Sequence, residues 1–229
     1  EVALYGLAYS IGMLVQLFIS GMNSALTPWM YSKIKKGDIR SMRKVLQLLS
    51  VVVVGIAVAL MLISPELVLI FGSPKYREAV YVIPPVAASV FFIFIYNILS
   101  MPQFYYEKTQ FLMAASMAAA GANVVLNFIF IRLFGYIAAG YTTLACYMLY
   151  SVGHYIVSKR ILVNEGIQEN LMSPGFLVAC SAFLIGASII CNLIFPYRIL
   201  RYAILLASAG LVFWKKELLL KTMADIRKK

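Results

Sequence analysis

Tyr5, Tyr9, Gly12, Gln16, Ser20, Asn23 and Thr27 follow one another at intervals of 4, 3, 4, 4, 3 and 4 residues, so they share one face of a helix. Apart from the glycine, each can hydrogen-bond, and none is charged. Such a row inside an apolar stretch has two physical uses: bonding to neighbouring helices, or lining an aqueous or sugar-filled cavity. Shorter rows repeat the pattern further along. Ser89, Tyr96, Asn97, Ser100 and Gln103 cluster on one side of a third apolar stretch. Ser116, Asn123 and Asn127 share a face of the fourth, and Thr143, Tyr147, Tyr150 and His154 share one of the fifth. The large amides favour a cavity, with Gln16, Ser20, Asn23, Tyr96, Asn97, Asn123, Asn127, Thr143 and Tyr147 as candidates for its lining. His154, the only histidine, is either a satisfied helix-end residue or a proton relay.

Other chemistry lacks residues to carry it. No pair of carboxylates lies within an apolar stretch, which removes acid–base hydrolysis. A Gly-rich phosphate loop is missing, and one histidine cannot supply both a triad and a metal site. Cys146, Cys180 and Cys191 sit in apolar surroundings with neither metal nor disulfide spacing. The chain is therefore expected not to be an enzyme and to need no cofactor or metal.

The elements that must position these rows are seven apolar stretches, at about 4–31, 45–71, 79–101, 111–133, 138–157, 172–195 and 202–214. Hydrophobic residues make up 62% and charged residues 13% of the 229, and mean hydropathy is +0.88. Soluble domains carry about 25% charged residues. A hydrocarbon core about 30 Å thick is crossed by about 20 residues of helix. The runs are continuous rather than alternating, which favours helices over a barrel. The expected fold is all-α: a polytopic transmembrane bundle of about seven spans.

The net charge of +11 is distributed by membrane side rather than as a nucleic-acid surface. Fifteen lysines and arginines fall in the first, third and fifth connections and the C-terminal tail, against five on the opposite side. The positive-inside rule places the rich side in the cytoplasm, so residue 1 is expected outside and the C-terminus inside, in a cytoplasmic (inner) membrane. Near 38–46, Ile39, Met42, Val45 and Leu46 form one face beside basic residues, as in an amphipathic helix on an anionic leaflet. Lys35, Lys36, Arg40, Arg43 and Lys44 are its expected lipid contacts, as a topology anchor or a lipid-bound switch. The second stretch is expected to face lipid, with Glu66 in water at its outer end. Pro84-Pro85 should kink the outer end of the third. The polar linker 164–174 divides the chain into 1–163, most of a lobe of five spans, and 164–229, an accessory two-helix hairpin with a basic tail.

Several motifs carry a family resemblance. Leu4-Tyr5-Gly6-Leu7-Ala8-Tyr9-Ser10, then Ala25-Leu26-Thr27-Pro28 before a basic segment, resembles the polysaccharide exporters of the multidrug/oligosaccharidyl-lipid/polysaccharide flippase superfamily. So does Ser64-Pro65-Glu66-Leu67 followed by Phe71-Gly72, Tyr76 and Ala79. The nearest match is Asn123-Val124-Val125-Leu126-Asn127 leading to Phe134-Gly135-Tyr136-Ile137-Ala138-Ala139-Gly140 and Thr142-Thr143. The resemblance spans residue 1 to about 160, while the last hairpin matches in number and hydropathy.

That resemblance implies helices eight to fourteen of a two-lobed, fourteen-helix flippase, with an N-terminal lobe of the same protein as partner. It implies alternating access, with a central hydrophilic cavity for the head group of a polyprenyl-linked oligosaccharide and the lipid bilayer holding its tail. Cell-wall-precursor flippases of this kind grip pyrophosphate with cavity arginines. Here no Lys or Arg precedes Lys33, and none sits mid-span elsewhere, so those sites do not carry over. A cation-coupled multidrug or metabolite antiporter of the same superfamily is the alternative and should show a carboxylate within a span. Further removed are a membrane glycosyltransferase or polymerase, which needs charged catalytic groups, and a non-transporting scaffold, which leaves four polar faces unexplained.

Overall fold

A computed structural model describes residues 2–72 and 74–214. Glu1, Ser73 and the basic tail from Lys215 to Lys229 lie outside the described residues, and with them the side of the membrane assigned to each terminus. Among the described residues there is no strand. The helices are α1 (Val2–Gly12), α2 (Leu14–Lys35), α3 (Ile39–Phe71), α4 (Ile83–Tyr105), α5 (Gln110–Phe134), α6 (Ala138–Asn164), α7 (Pro174–Ile194) and α8 (Arg198–Trp214), with a 3-10 helix at Pro74–Tyr81 before α4.

The first apolar stretch is two helices, not one. The break falls at Met13, where the Gln16 amide bonds to the Met13 carbonyl at 2.9 Å, a tightened i to i−3 turn. Gly12 stands at the joint because α4 passes close by: a Cβ there would lie 2.5 Å from Val86 Cγ1. The break also divides the polar row. Tyr5 and Tyr9 belong to α1, and Gln16, Ser20, Asn23 and Thr27 to α2.

The segment 38–46 is the first part of α3 rather than a separate helix lying on lipid. Asp38 caps α3 by accepting from the Ser41 amide at 3.3 Å and pairs with the buried Lys33 at 2.5 Å. Ile39, Met42 and Leu46 are fully buried in the protein core, so the apolar face expected in the leaflet packs against the bundle. Lys35, Lys36, Arg40 and Lys44 are exposed, whereas Arg43 is half-buried and donates to the Asn170 carbonyl at 2.6 Å. Further along α3, Val53, Ala57, Leu60, Met61 and Val68 are buried, so this helix packs one face inward instead of facing lipid all round.

Pro84 and Pro85 begin α4 and do not kink it. They occupy the first turn, where a missing N–H leaves no bond unmade. Every residue from Ile83 to Ile95 is buried, because α4 is apolar all round and the rest of the bundle wraps it. α1, α2, α3, α6 and α7 all pack on it. Gly140 lets α6 press on its start: a Cβ there would meet Pro85 Cγ at 2.8 Å. α5 packs mainly on α6 and contains no buried residue. On the other flank α7 lies on α3 and α4, and α8 lies on α3.

Glu66 is not a free carboxylate in water. Arg201 of α8 donates to both of its oxygens at 2.8 Å and to the Leu62 carbonyl at 2.6 Å, and Tyr202 adds a bond at 3.0 Å. The last hairpin is thus fastened to α3.

Among the described residues five helices are long and apolar enough to cross a membrane: Ala3–Lys35 taken through its break, Ile39–Phe71, Ile83–Tyr105, Gln110–Phe134 and Pro174–Ile194. The expected seven spans are met at these five. α6 has ample length at 27 residues, but its tyrosines, threonines and basic end make it too polar by the same measure. Within the described residues α8 has 17 residues, fewer than each of those five spans.

Candidate functional site

The rows on α1, α4, α5 and α6 meet around a cavity of about 440 Å³. Five tyrosines stand in its wall: Tyr5 and Tyr9 from α1, Tyr96 from α4, and Tyr147 and Tyr150 from α6. Asn123 and Ser116 of α5 and Thr143 of α6 complete the polar lining, with Ala119, Ala120 and Cys146 as small apolar patches. The spacing of three and four residues within each row brings these groups to one side of each helix. The Tyr96 ring stacks parallel to Tyr147 at 6.2 Å and meets Tyr150 edge-on at 4.7 Å. Hydroxyls pair across helices, Tyr5 with Thr143 at 3.2 Å and Ser116 with Tyr150 at 2.8 Å.

A second cavity of about 350 Å³ opens between α2 and α4. Gln16, Ser20, Asn23, Ser24 and Thr27 line it from α2, and Tyr96 and Asn97 from α4. Tyr96 therefore borders both spaces. The Thr27 and Ser24 hydroxyls donate back to the carbonyls of Asn23 and Ser20, at 2.8 and 3.0 Å. Neither the Gln16 nor the Asn23 side-chain amide is bonded to another described group, so each faces the groove with its full hydrogen-bonding capacity. No residue lining either cavity is charged.

Eight of the nine residues expected from the sequence to line a cavity therefore border one of these two. The ninth, Asn127, lines neither. It sits one turn beyond Asn123 and bonds to it. Tyr5, Tyr9, Ser116 and Tyr150 lie on the same polar rows and join the lining, although they were not among the expected candidates. Their signal was their place in those rows.

His154 is fully buried beside the phenol cavity without bordering it. Its Nδ1 meets the Gln103 amide nitrogen at 2.8 Å, and the rings of Tyr96, Phe111 and Tyr150 surround it at 4.5 to 5.9 Å. Its Nε2 has no hydrogen-bond partner among the described residues. His154 is not at a helix end, since α6 runs on to Asn164; it is satisfied at one nitrogen only, and it touches two of the cavity's tyrosines.

The MatE family model matches residues 1–129, more than half of the chain. The chain belongs to the MatE family. The match makes it a multi-pass membrane transporter of the multidrug/oligosaccharidyl-lipid/polysaccharide flippase superfamily, a group of transporters rather than enzymes. No curated protein and no solved structure matches it. The matched part of this MatE chain runs from α1 into α5 and so includes the whole amide groove and the α1, α4 and α5 walls of the phenol cavity.

Proposed function

We propose that this chain is the C-terminal part of a transporter that flips a lipid-linked oligosaccharide across the cytoplasmic membrane by alternating access. A polyprenyl-linked polysaccharide repeat unit of the kind used in O-antigen assembly is the substrate class. The single observation that carries this reading is the chemistry of the two adjoining cavities: phenols, amides and hydroxyls with no charge among them. Sugar rings present hydroxyls to the amides and apolar faces to aromatic rings. A charged wall would cost about 2.5–3.5 kcal/mol per residue at mid-membrane, whereas these groups are cheaper to hold there.

The N-terminal lobe would supply the facing wall and any anion-binding residues. α6 would cross with its neighbours, since only three residues separate it from α5 and its 27 residues run back along that helix. Lys35, Lys36, Arg40 and Lys44 would face the anionic inner leaflet, with the tail on the same side.

The alternative, a cation-coupled multidrug antiporter, draws on the same tyrosines, because phenol faces attract organic cations. The two readings part in proteoliposomes of the full-length protein. Labelled polyprenyl-linked oligosaccharide should cross, and Asn23→Leu and Asn123→Leu should each slow flipping by about fivefold, the worth of one neutral hydrogen bond. Unchanged flipping in both variants would overturn the cavity assignment, whereas pH-driven uptake of a lipophilic cation with no oligosaccharide transport would decide for the alternative.

A further inference from the structure

α6 and α7 both pack on α4 but hardly on each other. The gap they leave is a crevice of about 420 Å³, floored by Phe92 and Ile95 of α4 and walled by Met148 and Val152 of α6 and Leu177 and Val178 of α7. The two serines in its lining are turned to the backbone. Ser151 donates to the Phe92 and Tyr147 carbonyls at 3.0 and 2.9 Å, and Ser181 to the Leu177 carbonyl at 2.7 Å. A polar ligand would leave its own groups unpaired against these walls, whereas a hydrocarbon chain would not. Val152 and Val178 are 55 and 67% exposed, so the crevice is open along its outer edge.

Charge marks one end of the crevice. Tyr155 and Pro174 stand there, and the Arg43 guanidinium acts electrostatically on the Tyr155 hydroxyl. Arg43 Nε donates to the Asn170 carbonyl, four residues before Pro174, but its two terminal nitrogens bond to no described residue. Val152, Tyr155 and Lys159 follow at intervals of three and four, which puts the exposed Lys159 on the same side of α6, beyond Tyr155. Of the two carboxylates in the segment before α7, Glu165 is paired with Lys108 at 2.7 Å, and Glu169 forms no ion pair among the described residues. Arg43 and Lys159 thus flank the end of an apolar crevice without a carboxylate partner among the described residues. A phosphate group suits them, and a guanidinium can bond two of its oxygens side by side.

The crevice shares no lining residue with either polar cavity, and α6 stands between it and the phenol cavity. Tyr147 and Tyr150 border one space, and Met148 and Ser151 the other. A substrate with its head group in the phenol cavity would have to pass its tail around α6 to reach the crevice. A lipid of the surrounding bilayer enters directly from the open edge.

We infer that the crevice between α4, α6 and α7 binds one acyl chain of an anionic phospholipid, whose phosphate Arg43 and Lys159 hold at the basic end. The lipid fills the gap between α6 and α7 and so joins the last hairpin to the bundle, whichever substrate the transporter carries. The test takes the full-length protein, delipidated in detergent, and titrates it with dioleoylphosphatidylglycerol or dioleoylphosphatidylcholine, with bound lipid followed by native mass spectrometry. The wild type should prefer phosphatidylglycerol by about tenfold or more, and Arg43→Gln and Lys159→Gln should each reduce that preference about fivefold. If the Arg43 variant does not fold without its bond to Asn170, the exposed Lys159 makes the same test. Ala182→Trp, which puts a large ring into the crevice wall, should weaken binding of both lipids. Glycerol 3-phosphate, which has no chains, should not compete.

Equal binding of the two phospholipids, or a preference that survives both glutamine variants, would overturn the inference. So would lipid binding untouched by Ala182→Trp, or displacement of the lipid by glycerol 3-phosphate. A wild type that binds neither phospholipid would mean that the rest of the protein covers the crevice. Displacement of phosphatidylglycerol by an equal concentration of polyprenyl phosphate would give the crevice to the tail of a carried lipid instead.

Discussion

Arg201 is almost completely buried, and its charge is matched by one carboxylate, Glu66, with two parallel bonds. Such a pair adds little over a well-packed apolar replacement, yet it is costly to break, because the remaining charge stays buried. Glu66→Ala should therefore destabilise the protein by about 3 kcal/mol or more. Thermal unfolding of the full-length protein in detergent would measure this as a lowered midpoint. The double variant Glu66→Leu, Arg201→Met should regain most of the loss. A single variant as stable as the wild type would mean that the pair does not fasten α8 to α3. Glu66 was legible in the sequence as a helix-end carboxylate, but its partner lies 135 residues away, and no local pattern joins the two.

The break between α1 and α2 works at the scale of the element. It lets one polar row serve two cavities, and it depends on how closely Gly12 approaches Val86. Val86 is fully buried and has no room to retreat. Gly12→Ala should cost about 1–3 kcal/mol through overpacking. Adding Val86→Ala should recover part of that cost, so the double variant should unfold later than the sum of the single effects predicts. Simple additivity would show that the joint is not set by this contact. The same scale explains the beginning of α4. Paired prolines suggest a kink when the start of the helix is unknown, and they become a first turn once the 3-10 helix before them is in place.

For the whole molecule, the issue is which surfaces meet water and which meet lipid. In a cysteine-free background of the full-length protein, single cysteines at Gln16, Asn23, Asn123 and Tyr147 should react with a membrane-impermeant thiol reagent, and oligosaccharide substrate should slow the reaction. Cysteines at Leu17, Phe128 and Leu193, which point away from both cavities with 75, 59 and 70% exposure, should stay unreactive in the membrane. Equal reactivity of the two sets would remove the wet interior on which the transport reading depends. The native Cys146 borders the phenol cavity and needs replacement first.

The sequence alone determined that the chain is helical and membrane-bound, and it placed polar rows on four of the apolar stretches. Length, hydropathy and a spacing of three and four residues are local properties, written in the order of the side chains. It also supplied eight of the polar residues that border the two cavities, because a helix carries a row to one side wherever that helix ends up. Only the tertiary structure decided that the rows meet in two spaces with Tyr96 between them, that Asn127 bonds to Asn123 instead of lining a cavity, and that the apolar face of 39–46 is buried in protein. These outcomes depend on which helix lies against which, and helix packing is fixed by side-chain shape and close approach between residues far apart in the chain.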